Sequence, residues 1–194
     1  MRQNIAAAVG LLGTSIDFYW SYLGFDHFAI RLALGLLVLF GMYRVSGLDR
    51  RALFLNLRPE SGWRRWIGLS LIAAAVAIAV IALVYGRDPN IEPGVSYFRY
   101  PVIEELVYRL NLCIAVMLLI GNTRWAQITN VVISGSVFAA LHYVYGNLAV
   151  ENVVGGFVLA TALLASRSFL IPLVWHALGN VILASWIGSW LVFG

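Results

Sequence analysis

Residues 66–85 read WIGLSLIAAAVAIAVIALVY, twenty positions from Trp66 to Tyr85 without one charged side chain. At 1.5 Å per residue such a helix is about 30 Å long, the thickness of a bilayer's hydrocarbon core. A stretch that is apolar all round has no water-facing side, so its solvent is lipid. The remainder of the chain fits the same surroundings. Of its 194 residues 61% are hydrophobic and 11% charged, whereas soluble domains run near half and a quarter. The expected fold class is all-α, a polytopic transmembrane helix bundle.

Outward from this run, further apolar segments divide the chain into about seven spans: 6–23, 28–43, 66–85, 102–120, 128–147, 152–166 and 169–193. The first two could instead form one re-entrant pair. The opening twenty residues resemble a signal peptide only faintly, because Asp17 interrupts the apolar stretch and no small-residue cleavage site follows. No internal repeat or low-complexity tract is visible, and residues 1–194 read as a single membrane-embedded domain. Small residues in the fifth and sixth spans (Ser134, Gly135, Ser136, Ala139 and Ala140, with Gly155, Gly156 and Ala160) suit close helix approach in lipid. Cys113, the only cysteine, excludes an internal disulfide and reads as a small packing residue.

All 13 basic residues are arginines, and the net charge is +4. They cluster between apolar runs, which speaks for membrane topology rather than for nucleic acid. Six of them (44, 50, 51, 58, 64 and 65) lie in the connection 44–65, so the positive-inside rule makes that loop cytoplasmic. Alternation then puts Arg2, Arg124 and Arg167 inside as well, with the N-terminus in and the C-terminus out. Arg31, Arg87 and Arg99 fall outside or near the outer face. The segment 48–66 reads either as an amphipathic surface helix or as a plain basic loop. Pro89, Pro93 and Gly94 mark 86–100 as an external loop, with Pro101 in the first turn of the fourth span. The expected location is an integral protein of a prokaryotic plasma (inner) membrane. Trp20, Trp66, Tyr85, Tyr97, Tyr100, Tyr143 and Tyr145 read as an aromatic belt at span ends.

Charges inside spans are costly, about 2.5–3.5 kcal/mol each on insertion scales, and mark function by default. Glu105 and Arg109 are four apart and can pair on one helix face. Glu104 points about 100° away from Glu105 and is left without that partner. Phe138 and His142 are four apart on the fifth span, and His176 and Asn180 on the seventh. Three helices can therefore converge a carboxylate, two imidazoles and a carboxamide. That inventory suits hydrolysis: a desolvated carboxylate is a stronger base, an imidazole can hold the water, and the remaining donors can face a developing oxyanion.

PVIEELVYR, SVFAALH and HALGN resemble the ordered EExxxR, FxxxH and HxxxN motifs of the CPBP family, the CAAX protease and bacteriocin-processing family that includes the Ras-converting CAAX endopeptidase. The resemblance spans 104–180, within a motif-bearing core 101–193. It implies an intramembrane endopeptidase of glutamic type. In that reading Glu104 is the general base that activates water together with His142, and His176 and Asn180 stabilise the oxyanion. Glu105, Arg109 and Phe138 support the site. The implied substrate is a peptide bond in a membrane-associated or exported protein, with no cofactor and no nucleic-acid partner. The sequence is silent on oligomeric state.

Structural readings stand beside these roles: an ion pair for Glu105–Arg109, packing for Phe138, interhelical hydrogen bonds for the histidines and Asn180. Asp17, His27, Arg31 and Glu151 match no motif, and Glu151 reads as solvated. A zinc protease on the same residues is the alternative enzyme, although no HExxH is present. A proton-coupled transporter or a non-catalytic binding or immunity protein are the alternatives outside enzymology. With the expected boundaries Glu104 lies only about 3 Å along its helix from the outer end, His142 near the outer end of its own, and His176 deeper. That mismatch requires a displaced boundary or a tilted helix. It otherwise implies a site opening toward the outer half of the membrane.

Overall fold

The computed structural model describes residues 1–25, 27–49, 51, 53–56, 59–60, 62–85, 96–146 and 150–187. These residues fold into α1 (Arg2–Tyr22), α2 (Phe28–Ser46), α3 (Trp63–Tyr85), α4 (Ser96–Glu104), a π-helical segment (Glu105–Asn111), α5 (Leu112–Ile120), α6 (Arg124–Val144), α7 (Val150–Ser166) and α8 (Leu170–Ile187). The segments α4, π and α5 form one unbroken rod, so the expected spans correspond to seven rods. The expectation of an all-helical fold holds for the described residues, whose only β feature is an isolated bridge, Leu55 to Ser168. By length and composition α2 and α6 are each long and apolar enough to cross a membrane, and Asn152–Ser166 is a shorter apolar helix. The α1 and α2 rods have 21 and 19 residues.

The central rod is the most buried. Every residue of the π segment is buried, as are Leu112 to Val116 after it. Its neighbours cross closely where glycines allow. A Cβ on Gly135 of α6 would stand 2.7 Å from the Phe157 ring of α7, and one on Gly156 would stand 3.0 Å from the Gly135 carbonyl. Gly155 faces open space, so of that glycine pair only Gly156 makes the contact. Cys113 is fully buried among apolar neighbours, as a packing residue should be.

One boundary differs from expectation. The fourth rod begins at Ser96, so Pro101 sits inside a helix and not in its first turn. Proline there removes one backbone hydrogen bond, which the long rod tolerates near its start. The expected external loop 86–95 lies outside the described residues. In the basic connection the described residues between α2 and Trp63 form no helix, in line with the loop reading rather than the amphipathic one. Leu53 and Phe54 there are fully buried. The Phe54 carbonyl accepts from Phe169 N at 2.9 Å, and Ser168 Oγ donates to the Asn56 carbonyl at 2.7 Å. Phe54 and Arg167 both adopt positive φ, 57° and 55°, and the Arg167 guanidinium lies 5.3 Å from the Phe54 ring centre. Burying two apolar side chains outweighs the amphipathic arrangement, and the connection straps the turn that leads into α8.

Candidate active site

The rod α4–π–α5 supplies two adjacent carboxylates. In a π-helix each turn holds an extra residue, which narrows the angle between successive side chains. Glu104 closes α4 and Glu105 opens the π segment, so both can face one partner. That partner is His176 of α8. Its Nδ1 stands 2.7 Å from Glu105 Oε1 and its Nε2 3.5 Å from Glu104 Oε2. Glu104 is therefore not left without a partner, contrary to the helical-wheel argument: the two nitrogens of an imidazole lie on opposite sides of the ring and reach a residue each.

Glu105 also accepts from Arg109 Nη1 one turn on, in the expected intrahelical pair. Arg109 lies over the face of Phe138, its guanidinium carbon 4.0 Å from the ring centre. The same ring is 4.4 Å from His142 and 5.6 Å from His176. Phe138 is thus the hub around which the cation and both imidazoles are arranged, a larger part than packing beside the site. His142 Nδ1 stands 3.0 Å from the Phe138 carbonyl. A carbonyl only accepts, so Nδ1 carries a hydrogen, and in the neutral ring Nε2 holds the lone pair.

No hydrogen bond or ion pair among the described residues joins Glu104 directly to His142, which are linked through His176 and Phe138. Asn180 lies one turn beyond His176 on α8, half-buried, and no hydrogen bond among the described residues ties it to the cluster. Exposure separates the members. Glu104, His142 and His176 retain 6, 8 and 7% of their surface, whereas Glu105 and Arg109 retain none. Glu105 Oε2 and the Arg109 Nε and Nη2 groups are buried without a protein partner.

The contacts of His176 with both glutamates place these side chains at one level, and α4 starts earlier than expected. Eight residues separate Ser96 from Glu104, which places the carboxylate about 12 Å along the rod rather than about 3 Å.

The π segment is held open by its neighbours. Ser134 Oγ of α6 donates to the Tyr108 carbonyl at 2.9 Å, and Thr14 Oγ1 of α1, which donates to the Gly10 carbonyl at 3.0 Å, also lies 3.4 Å from the Val107 carbonyl. Asn111 Nδ2 donates to the Gly35 carbonyl of α2 at 3.0 Å, and Asn130 Nδ2 to the Cys113 carbonyl at 2.8 Å. In lipid, backbone groups released by an irregular helix must find such partners. Sequence reasoning took Ser134 only for its small size.

It also missed a second polar centre. Asp17 of α1 and Arg31 of α2 form a fully buried fork, Nε to Oδ1 and Nη2 to Oδ2, each 2.8 Å. Arg31, in the first turn of α2, is 1% exposed. Two charges 14 positions apart neutralise each other across a helix turn, which spares each an isolated burial. Tyr108 donates its hydroxyl to Asp17 Oδ2 at 2.6 Å. Tyr145 donates to Ser21 Oγ at 3.1 Å, and Trp66 is buried against Trp175. These two aromatics have specific partners, whereas Tyr143, 72% exposed, is placed as a belt residue would be. The only signal for the second centre was the presence of an acid and a base in two adjacent spans.

Among the described residues no group of three or more His, Cys, Asp and Glu side chains is arranged to hold a metal ion.

No curated protein and no solved structure matches the chain. Residues 92–182 match the family model of the Rce1-like type II CAAX prenyl endopeptidases. That stretch contains both carboxylates, Arg109, Phe138, both histidines and Asn180. Through that stretch the chain is similar to the CAAX prenyl endopeptidases, a family of membrane peptide hydrolases.

Proposed function

We propose that the protein is a metal-free intramembrane endopeptidase that hydrolyses a peptide bond in a membrane-associated or exported protein. Glu104 and His142 activate the water, and His176 and Asn180 donate to the oxyanion of the tetrahedral intermediate. The single observation that carries this reading is the division of exposure. Three of the four groups assigned to chemistry, Glu104, His142 and His176, keep 6–8% of their surface, and the ion pair Glu105–Arg109 behind them keeps none.

The hydrogen bonds support each role. In its neutral form His142 presents a bare Nε2, a proton acceptor for water held between it and Glu104. Glu105, its charge shared with Arg109, fixes the hydrogen on His176 Nδ1. With its Nδ1 hydrogen held by Glu105, His176 in its imidazolium form also carries a hydrogen on Nε2, 3.5 Å from Glu104 Oε2, and that N–H can donate to the peptide oxyanion. Such a donor contributes about 2.7–4 kcal/mol to the barrier. Phe138 fixes the planes of both rings.

In this reading the seven rods cross the membrane, with the arginine-rich connection 44–65 cytoplasmic and the start of α4 outside. The site opens toward the outer half, and a substrate is cut near the outer end of its transmembrane anchor. Comparing membrane-protein fragments from cells carrying the wild-type enzyme and the Glu104→Gln variant tests the activity. Fragments present only with the wild type are expected. Identical fragment patterns would overturn the reading. Orientation is tested separately by labelling Tyr100→Cys in intact cells, since the native Cys113 is buried. Labelling by an impermeant maleimide from outside is expected, and labelling only from the cytoplasm would reverse the topology.

A further inference from the structure

One turn of α1, from Asp17 to Ser21, is held by phenols from two other helices. Tyr108, three residues after Glu105 in the π segment, donates to the Asp17 carboxylate at 2.6 Å. Tyr145, at the end of α6 and three residues after His142, donates to Ser21 Oγ at 3.1 Å. Ser21 Oγ in turn donates to the Asp17 carbonyl at 3.0 Å, which closes the turn. The turn itself is anchored to α2 by the Arg31 fork. Asp17, Tyr108 and Arg31 are at most 1% exposed, and the Tyr145 ring centre lies 6.3 Å from that of His142.

Neither Asp17, Ser21 nor Arg31 lies within residues 92–182, so this part of the molecule is outside the stretch that matches the protease family. We propose that Tyr108 and Tyr145 are positioning residues: through the Asp17–Ser21 turn they set the spacing between the helix that carries Glu104 and the helix that carries His142. The inference rests on the reading of Glu104 and His142 as the water-activating pair. No hydrogen bond among the described residues joins those two groups; Ser134 and Phe138 tie their helices together directly, and the phenols brace the same two helices from the α1 side. A side chain on a helix leans toward the helix N-terminus. The Tyr108 ring therefore runs back toward the Glu104 end of its rod, and its hydroxyl stops against a charge that cannot move. A misplacement of about 1 Å in such a geometry costs on the order of 10²-fold in rate.

The substrate probe is the membrane protein whose fragment appears with the wild-type enzyme and not with Glu104→Gln. Its cleavage by purified Tyr108→Phe, Tyr145→Phe, the double variant, Ser21→Ala and Ser21→Thr is measured in micelles, beside each variant's melting temperature. Tyr108→Phe and Tyr145→Phe each remove one hydroxyl and leave the ring. The expected result is a kcat about 10- to 100-fold lower with KM within about twofold in each single variant. The two links act in series, so the double variant should lose about as much as one single variant. Ser21→Ala should match Tyr145→Phe, and Ser21→Thr, which keeps a hydroxyl, should restore most of the rate. A merely structural role would lower the melting temperature and the active fraction and leave kcat per folded molecule unchanged. That result overturns the inference, as would additive losses in the double variant or full activity in both single variants. Finding no fragment that depends on Glu104 would instead overturn the proposed function itself.

Discussion

His176 Nδ1 stands 2.7 Å from Glu105 Oε1, although 71 positions separate the two residues. This one contact brings α8 to the central rod and gives the adjacent carboxylates different tasks. Glu105 is consumed by His176 and Arg109, and Glu104 keeps an open edge.

If Glu105 is the anchor, Glu105→Gln should harm folding and Glu104→Gln should not. Removing a partner from a buried ion pair costs about 3–5 kcal/mol, because the remaining charge is left uncompensated. Thermal unfolding in detergent is expected to show a large drop for Glu105→Gln and little change for Glu104→Gln. Equal stability of the two variants would contradict the assignment.

Phe138 meets Arg109, His142 and His176 at once. Phe138→Ala is expected to cost about 3–5 kcal/mol of stability and to lower activity further by freeing both imidazoles. Phe138→Tyr keeps the ring and should retain most of the stability. An alanine variant as stable and active as wild type would remove Phe138 from the site.

The crossing of α6 and α7 leaves no room at Gly156. Overpacking of this kind costs about 1–3 kcal/mol, so Gly156→Val should lower the melting temperature. Gly155→Val, whose Cβ meets nothing, should be tolerated. The reverse order would contradict the described register of the two helices.

Since no group of three or more His, Cys, Asp and Glu side chains among the described residues is arranged to hold a metal ion, hydrolysis is expected not to depend on zinc. Activity after exhaustive treatment with a chelator is expected to equal that before. Loss on chelation with recovery on adding zinc would replace the proposed chemistry with that of a metalloprotease.

The helical fold and the motif-bearing residues were legible because lipid imposes a simple code. Uninterrupted apolar runs gave each rod to within a few residues, except where Pro101 suggested a start that the helix overruns. Glu104, Glu105, Arg109, Phe138, His142 and His176 stood out as polar or patterned exceptions within those runs, and the structure gathers them. The π segment was not legible, because widening a helix needs carbonyl partners such as Ser134 from a distant helix. The sharing of His176 between two glutamates followed from that widening and was equally hidden. Asp17 and Arg31 were visible as charges but not as a pair, since pairing depends on how α1 and α2 dock. The burial of Leu53 and Phe54 within the basic connection was hidden for a related reason, since its arginines suggested a surface.

The most direct measurement is the rate at which purified Glu104→Gln enzyme cleaves a membrane substrate that the wild type cleaves, at equal folded concentration. General base catalysis contributes about 10²–10⁴-fold, so the variant is expected to lose at least about a hundredfold in kcat while melting at the wild-type temperature. A folded Glu104→Gln enzyme with a kcat within a few fold of wild type would contradict the proposal that this carboxylate activates the water.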